Sequence, residues 1–399
     1  MKKKWLLVGS LAFAQFFAKA QHTDSTSAER LRKTDIEFVY NQYMQDGSNS
    51  AVTGGIGTEE LTVYGPAVHI TETFGKNAIN YTLGADVISS ASTDMINDVM
   101  SSASAKDVRS YANAGYKINL KNQWELQTGL NFSIESDYTS FGGKIGISKE
   151  SSDKMKTYAA RLQLFFDDLR WGRINEQHLK PVSLIYPEEL RFKEWYDVYR
   201  RNTYKLSVGY THILNKRNTL GLFPEITLQQ GLLATPFHRI YFANDSLAVE
   251  QLPKQRFKAA LGIKLNSFVG GNMILKNSIN TYVDDFGILG ISLSHETAIK
   301  LNAAFTVLPN ARFYNQKASR YFAPYMQHQP DEPFYTSDYD LSAFNTLTTG
   351  LGLKYSPFKY LRKRWMFNAM IFRYSYMHRS NGLEAHIISV SFAISVLKN

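Results

Sequence analysis

The sequence has 399 residues, no cysteine, 14% aromatic residues and a formal net charge of +10. The absence of cysteine excludes a disulfide framework, a thiolate metal site and a lipid anchor attached to cysteine. Because the positive charge is modest and no run of five or six like charges concentrates it, nucleic acid is not an expected partner.

The first twenty residues are typical of a secretory signal peptide. Three lysines precede an apolar segment, and an A-x-A cleavage pattern ends at Ala20. A membrane anchor is the alternative, but Gly9 and Gln15 interrupt the apolar run, which is shorter than the roughly 20 residues that span a bilayer. We therefore predict a signal peptide at 1–20, a short periplasmic segment at 21–33 and one domain at 34–399.

Beyond this leader, alternation of apolar and polar residues is the strongest pattern. In residues 122–135 the apolar side chains Trp124, Leu126, Leu130 and Phe132 share one face, and residues 256–266 alternate in the same way. These segments run to ten or more residues, whereas strands of soluble sandwiches average five or six. A tilted membrane strand needs roughly 9 to 11 residues, so the length favours an outer-membrane barrel over a secreted β-protein.

About sixteen such segments can be counted, and fourteen is the next most probable number. Their predicted centres are residues 39, 66, 83, 113, 128, 143, 161, 207, 224, 261, 277, 291, 304, 351, 371 and 391. All five long connections fall on one side of this series, namely 45–60, 90–106, 168–201, 231–255 and 310–346. Membrane barrels have short periplasmic turns and longer external loops. We therefore predict an all-β, antiparallel transmembrane β-barrel of about 16 strands.

Several motifs resemble a family of exported bacterial proteins known as a domain of unknown function. These motifs are AVTGGIGTEEL, SSASAKDVRS, ESDYTSFG, FFDDLRWG and YTSDYDLSAF. The resemblance implies an outer-membrane barrel without an assigned catalytic mechanism. Members are encoded near a thioredoxin-like protein, a small lipoprotein and a flavin transferase, which implies partners in an envelope redox system.

The glycine-rich stretch SNSAVTGGIGTEE at residues 48–60 invites comparison with a phosphate-binding loop. Such a loop needs a helix after the last glycine, and its Walker form carries Lys-Ser or Lys-Thr there. Here Gly57 is followed by Thr58, Glu59 and Glu60, whose carboxylates would repel phosphate. The glycines instead predict a tight turn between the first two strands, over the mouth of the lumen.

Carboxylates in the first two long loops form a candidate cation site. Oxygen ligands of this kind suit Ca²⁺, which would be the cofactor, and the alternative is a pair of solvated external loops. The candidate ligands are Asp46, Glu59, Glu60, Asp94, Asp98 and Asp107.

Basic residues on the predicted inner face could favour anionic solutes in a water-filled pore. The competing interpretation pairs them with neighbouring acids, such as Glu125, Glu135 and Asp167, which would hold the wall shut. The basic residues are Arg161, Lys205, Arg256, Lys258 and Lys264.

Three functions follow from these patterns. The first is a channel, or the outer-membrane component of an envelope transport or redox system, and the second is a closed barrel acting as scaffold or receptor. A membrane-embedded hydrolase is third. It needs Ser, His and Asn or Asp on one wall, and we expect His212, His295 and His378 at different strand ends without a serine partner. The expectation is therefore a protein that is not an enzyme. Its partners would be outer-membrane lipids, lipopolysaccharide and the barrel insertion machinery.

Overall fold

A computed structural model describes residues 32–89, 106–135, 138–169, 199–235 and 238–398. The predicted signal peptide and residues 21–31 lie outside this range. Nineteen strands lie within the described residues. They are β1 (Arg32–Asp46), β2 (Leu61–Phe74), β3 (Asn77–Ser89), β4 (Lys106–Asn119), β5 (Trp124–Ile134), β6 (Thr139–Glu150), β7 (Lys156–Asp168), β8 (Arg200–Ile213), β9 (Asn218–Gly231), β10 (Arg239–Tyr241), β11 (Leu247–Val249), β12 (Gln255–Val269), β13 (Met273–Asp284), β14 (Leu289–Lys300), β15 (Phe305–Gln316), β16 (Phe344–Tyr355), β17 (Lys359–Arg362), β18 (Trp365–Arg379) and β19 (Glu384–Lys398).

Sixteen of these strands form one closed antiparallel barrel. Each pairs with its two neighbours, and the wall closes where β1 pairs with both β2 and β19. The short β10 and β11 form a separate hairpin within a connection, so β9 pairs directly with β12. The short β17 extends the wall beside β18. The prediction of a sixteen-stranded antiparallel barrel is confirmed.

The connections are sorted by length between the two ends of the barrel. Five long ones, at 47–60, 90–105, 169–199, 232–254 and 317–343, lie at the end that we call the long-loop end. Three connections of four residues lie there too, at 135–138, 285–288 and 380–383. The opposite end, called the short-turn end, has hairpin turns such as 75–76 and 270–272. The predicted one-sided distribution of long loops is therefore present.

The two faces of the wall differ in polarity. Large apolar side chains such as Leu83, Phe141 and Leu351 point outward and are about half exposed. Aromatic pairs ring the outer surface near the short-turn end, including Phe74 with Tyr116 and Tyr158 with Tyr210. An apolar band flanked by aromatic girdles is the outer surface expected of a membrane barrel.

One predicted strand centre and one loop boundary are wrong. Residue 304, given as the thirteenth centre, lies in the turn between β14 and β15, and the last long loop begins at 317, not at 310. The strand passes through Pro309, which has no N–H to donate, and the register between β14 and β15 is interrupted beside it. Because β15 pairs with β16 on both sides of Pro309, the strand continues nevertheless.

No helix in the described part of the chain is long and apolar enough to cross a membrane.

Candidate functional site in the capped lumen

Exposure of the inward-facing side chains changes along the barrel axis. On β9, Gln229 and Thr227 near the long-loop end are each 7% exposed, whereas Phe223 on the same face is 37% exposed. On β7, Asp167 is buried and Arg161 is exposed. The lumen is therefore covered at the long-loop end and accessible to water farther down.

The cover consists of loops that meet across the barrel mouth. Loop 47–60 joins the first and second strands of the wall, and loop 232–254 joins the ninth and tenth, halfway around the circle. Sixteen strands at the usual spacing and tilt give a barrel roughly 30 Å across. Nevertheless, Gly54 packs against Tyr241 and the backbone carbonyl of Arg239. This contact can form only if both loops reach over the lumen.

Glycine residues allow loop 47–60 to pack closely against the neighbouring loops. Residues 51–53 form one turn of 3-10 helix, after which Gly54, Gly55 and Gly57 adopt φ values of +82°, +92° and +89°. A Cβ atom on Gly54 would lie 2.6 Å from the Tyr241 ring, and one on Gly55 would lie 2.9 Å from the Ser337 carbonyl oxygen. The glycines therefore supply both the left-handed backbone and the space that the neighbouring loops occupy.

Loop 317–343 is the third part of this cover, which we call the cap. It pairs with loop 232–254 through backbone hydrogen bonds in both directions between Gln251 and Tyr335. Beneath them, the Glu250 carboxylate accepts hydrogen bonds from the Thr336 hydroxyl at 2.5 Å and the Thr235 N–H at 2.6 Å. Because Glu250 and Thr336 are buried, these bonds satisfy polar groups that would otherwise be costly to bury.

A charged cluster ties the cap to the wall. The guanidinium group of Arg379, at the end of β18, donates to the Asp340 carboxylate and the Tyr339 carbonyl oxygen, and lies 3.6 Å from the centre of the Phe344 ring. Burial raises the pKa of Asp340 to about 7; Arg379 opposes the rise, and the negative charges of Asp338 and Glu59 add to it. The positive charge of Arg379 therefore acts on more than one acid, since it acts to lower the pKa of both Asp340 and Glu59.

Two further loop groups have raised pKa values. Burial raises the pKa of Glu59, although the Asn49 backbone N–H and Arg379 partly offset this effect. For His238, burial acts to lower the pKa, but the charge and hydrogen bond of Glu250 outweigh burial and raise it. All three groups therefore hold a proton more tightly in the docked cap than they would in released loops.

The structure distributes the candidate calcium ligands over different environments. Asp46 and Glu60 are exposed, whereas Glu59 is buried in the cap beside Gly47. Asp107 lies in β4, and Asp94 and Asp98 fall outside the described residues. In the part of the chain that the structure describes, no three His, Asp or Glu residues form a metal-sized group. The shared cation site stays a prediction.

The predicted basic residues all lie on the inner face but differ in their contacts. Lys205 forms an ion pair with Glu225 at 3.0 Å, and Arg256 pairs with Asp284 at 2.5 Å. Arg161 lies over Gly146 and reaches Gln127 at 3.5 Å. Lys258 stands directly opposite Asp284 across the ladder, and Lys264 stands opposite Ser278.

The acids named as possible partners of these residues contact other cations. Glu125 on β5 forms an ion pair with Lys117 on the adjacent strand β4. Asp167 accepts from Arg201 Nε at 2.8 Å, and Glu135 lies 3.9 Å from Arg109. The wall therefore contains many internal ion pairs between neighbouring strands.

The histidines considered for hydrolysis face outward. His212 and His378 lie near strand ends, but the prediction that His295 does so is wrong, because it lies within β14. Its Nδ1 atom is 2.7 Å from Asn277 Oδ1 and its Nε2 atom is 2.8 Å from Thr297 Oγ1. Sequence inspection for serine missed this threonine, two residues farther along the same face of the strand.

Replacing Gly54 with leucine is expected to release the cap, because the side chain would collide with Tyr241. A cysteine placed at buried Ser337 reports the release, since the chain has no other cysteine. Maleimide labelling should become about tenfold faster or more, the change that about 1.4 kcal/mol of lost docking energy produces. Gly271→Leu is the matched control: its φ is also +82°, but nothing lies within 4 Å. Equal labelling in both variants would contradict the assigned contact.

The same cysteine should become more reactive as the pH rises through about 7. A raised pKa means that docking is strongest while the group keeps its proton, so the docked cap weakens as Asp340 ionises. Labelling at Ser337→Cys is divided by labelling at exposed Lys216→Cys to remove the intrinsic pH dependence of thiols. Asp340→Asn should flatten this ratio, whereas Asp245→Asn, at an exposed position, should not. A ratio that falls with rising pH would show that the sign is wrong.

Comparison with solved structures finds several chains that are similar to this one. No curated protein matches it. A solved structure described as a bacterial polysaccharide outer membrane secretin is 9% identical, with 94% of this chain and 100% of that chain covered and a TM-score of 0.46. Pseudomonas aeruginosa OpdO is 7% identical over 92% and 97% of the chains, with a TM-score of 0.44. Pseudomonas aeruginosa OprD is 10% identical over 94% and 99%, with a TM-score of 0.43.

The family model described as "Protein of unknown function (DUF3570)" matches residues 89–386, which is most of the chain. This match agrees with the resemblance found in the sequence motifs. The chain therefore belongs to the DUF3570 family.

Proposed function

We propose that this protein is an outer-membrane channel for small hydrophilic solutes, closed at its outer mouth by the cap. The observation that carries the proposal is the contact between loops 47–60 and 232–254 above a hydrated lumen. A barrel that served only as a rigid scaffold would not need water-exposed charges such as Arg161 and Lys264 on its inner face. A cap made of separate loops can be displaced without opening the wall.

The outer surface supports the membrane location. Outward apolar side chains cover the strands, and aromatic rings cluster near the short-turn end, where a bilayer interface would lie. Lipids and lipopolysaccharide would therefore contact this surface. By the usual arrangement of such barrels, the long-loop end faces the exterior. A small lipoprotein or a thioredoxin-like envelope protein remains a proposed partner at the short-turn end.

The lumen wall supports passage of charged solutes. Many acids on it are paired with bases, such as Glu225 with Lys205 and Glu296 with both Lys276 and Arg373. Arg161 and Lys264, in contrast, form no ion pair with another described residue. These two positive charges on the described wall favour anions.

Planar-bilayer recording tests the channel. The wild-type protein should give rare or small current steps, and replacement of residues 49–58 by a short glycine–serine turn should give frequent, larger steps because the cap loses one of its three loops. A variant with a similar replacement of the turn at 270–272 controls for general damage. If both the wild type and the loop variant are silent after folding is verified by heat-modifiable migration, the channel is refuted and the scaffold or receptor gains support.

One observation favours a second candidate function, ester hydrolysis on the outer wall. His295 lies between Asn277 Oδ1 and the Thr297 hydroxyl, the order of orienting group, base and nucleophile in hydrolase triads. Thr297 Oγ1 would attack an ester carbonyl carbon while its proton passed to His295 Nε2. The departing alcohol would take that proton, and water would then hydrolyse the acyl-threonine by the reverse transfers.

Hydrolysis of a phospholipid ester in mixed micelles tests this candidate. Thr297→Val should abolish turnover because it removes only the hydroxyl, Thr297→Ser should retain it, and Thr281→Val, on the same outer face, should have no effect. If turnover is absent, or survives in Thr297→Val, the contact serves only to satisfy the polar atoms of His295 within an apolar surface.

A further inference from the structure

We propose that the lumen wall between β8 and β15 contains a binding subsite for organic anions that carry an aromatic body. This inference rests on the proposed channel, because the ligand would be a solute in transit. The subsite is built around Phe223 and Lys264, neither of which belongs to the cap.

Phe223 is an unusual residue for the hydrated part of this lumen. Its register partner Gly262 and its neighbours Glu225 and Thr227 place it on the inner face of β9, and it is 37% exposed. Most large exposed apolar side chains of the strands point outward instead. An aromatic side chain left open to water inside the barrel costs free energy that lipid contact would have avoided, so it needs a reason.

The Phe223 ring packs against glycine residues. A Cβ atom on Gly221 would be 2.6 Å from the ring, and Cβ atoms on Gly209 and Gly262 would each be 3.6 Å from Phe223 atoms. These glycines come from three adjacent strands. The missing side chains let the ring lie along the wall, which leaves one face for a ligand without blocking the lumen.

Lys264 adds a positive charge beside that face. It stands opposite Gly221 in the ladder, and its Nζ atom lies 5.3 Å from the centre of the Phe223 ring. Lys264 is exposed and forms no ion pair with another described residue. A cation at this distance from the ring is attracted by the π system, which helps hold the ammonium group near the wall until an anion arrives.

The residues that continue the ladder from Lys264 across the neighbouring strands are also suited to binding anions. Successive register partners across β13, β14 and β15 are Ser278, Ser294 and Arg312, so two hydroxyl groups lie between two cations. The Arg312 guanidinium lies 5.7 Å from the Tyr314 ring centre and is likewise without an ion pair among the described residues. The wall therefore carries two similar pairs of a cation and an aromatic ring, Lys264 with Phe223 and Arg312 with Tyr314.

Nearby acids do not cancel this charge. Glu225, two residues from Phe223, already accepts from Ser207 at 2.8 Å and pairs with Lys205. Glu296 is held by Lys276 and Arg373. The local chemistry therefore offers a flat apolar face, an unneutralised ammonium group and hydroxyl donors. An aromatic carboxylate uses all three, whereas a free phosphate leaves the ring unused and a neutral sugar leaves the charge unused.

Calorimetric titration of the detergent-solubilised protein with benzoate tests the subsite. Benzoate should bind more tightly than acetate, which lacks the ring, and than benzamide, which lacks the charge. Phe223→Leu should weaken benzoate binding about threefold to tenfold, the range expected for one aromatic pair. Lys264→Gln should weaken it about twofold to fivefold, as for a partly exposed ion pair.

Two matched variants separate the subsite from general effects. Phe257→Leu makes the same change on the outer face of β12, and Lys276→Gln removes a lysine whose charge Glu296 already neutralises. Neither should alter the preference for benzoate over acetate. Equal binding of benzoate and acetate, or equal losses in test and control variants, would overturn the subsite.

The same titration distinguishes failure of the subsite from failure of the channel. Benzoate binding without current in a bilayer would refute the channel and leave a ligand-binding barrel. Current without a preference for benzoate would refute the subsite and leave an unselective channel.

Discussion

The structure depends on closing a ladder of backbone hydrogen bonds. In a bilayer no water is available to pair with free N–H and C=O groups, so a sheet can cross it only without an edge. Here the first strand meets the last along fifteen register pairs, from Arg32 with Lys398 to Asp46 with Glu384. Because the number of antiparallel strands is even, the start of β1 and the end of β19 both lie at the short-turn end. Loops 47–60, 232–254 and 317–343 leave the wall at the other end, where they contact one another.

Closure also encloses a lumen, whose charged side chains must be either hydrated or paired. A barrel of sixteen strands is too wide for its own side chains to fill, so charged groups remain in contact with water. Adjacent strands pair many of these charges, as with Lys205 and Glu225, while the cap buries the upper part of the lumen. The cap buries Asp340 beside Arg379 and close to other acids, and this burial, more than the neighbouring negative charges, raises the pKa of Asp340 and makes docking depend on protonation. Opening of the cap would therefore depend on the charge of these groups and would leave the wall unchanged.

Much of the wall could be predicted from sequence because side-chain alternation is local. Fifteen of the sixteen strand centres fall within the observed strands, and the failure at residue 304 arose where Pro309 weakened the strand pattern. The residues of the candidate site were harder to predict. Gly54 and Tyr241 are 187 positions apart, and nothing in either segment indicates that they touch. The stacking of Phe223 likewise depends on glycines from two neighbouring strands, which become neighbours only after the register is set.

A distance measured across the mouth tests whether loops from opposite walls meet over the lumen. Because the chain has no cysteine, spin labels can be attached specifically at Thr53→Cys and Asn244→Cys, and pulsed electron resonance can then report their separation in lipid. We expect one short distance, well below the barrel width of roughly 30 Å. A distribution centred at or above that width would show that the loops stand apart and that the barrel has no cap.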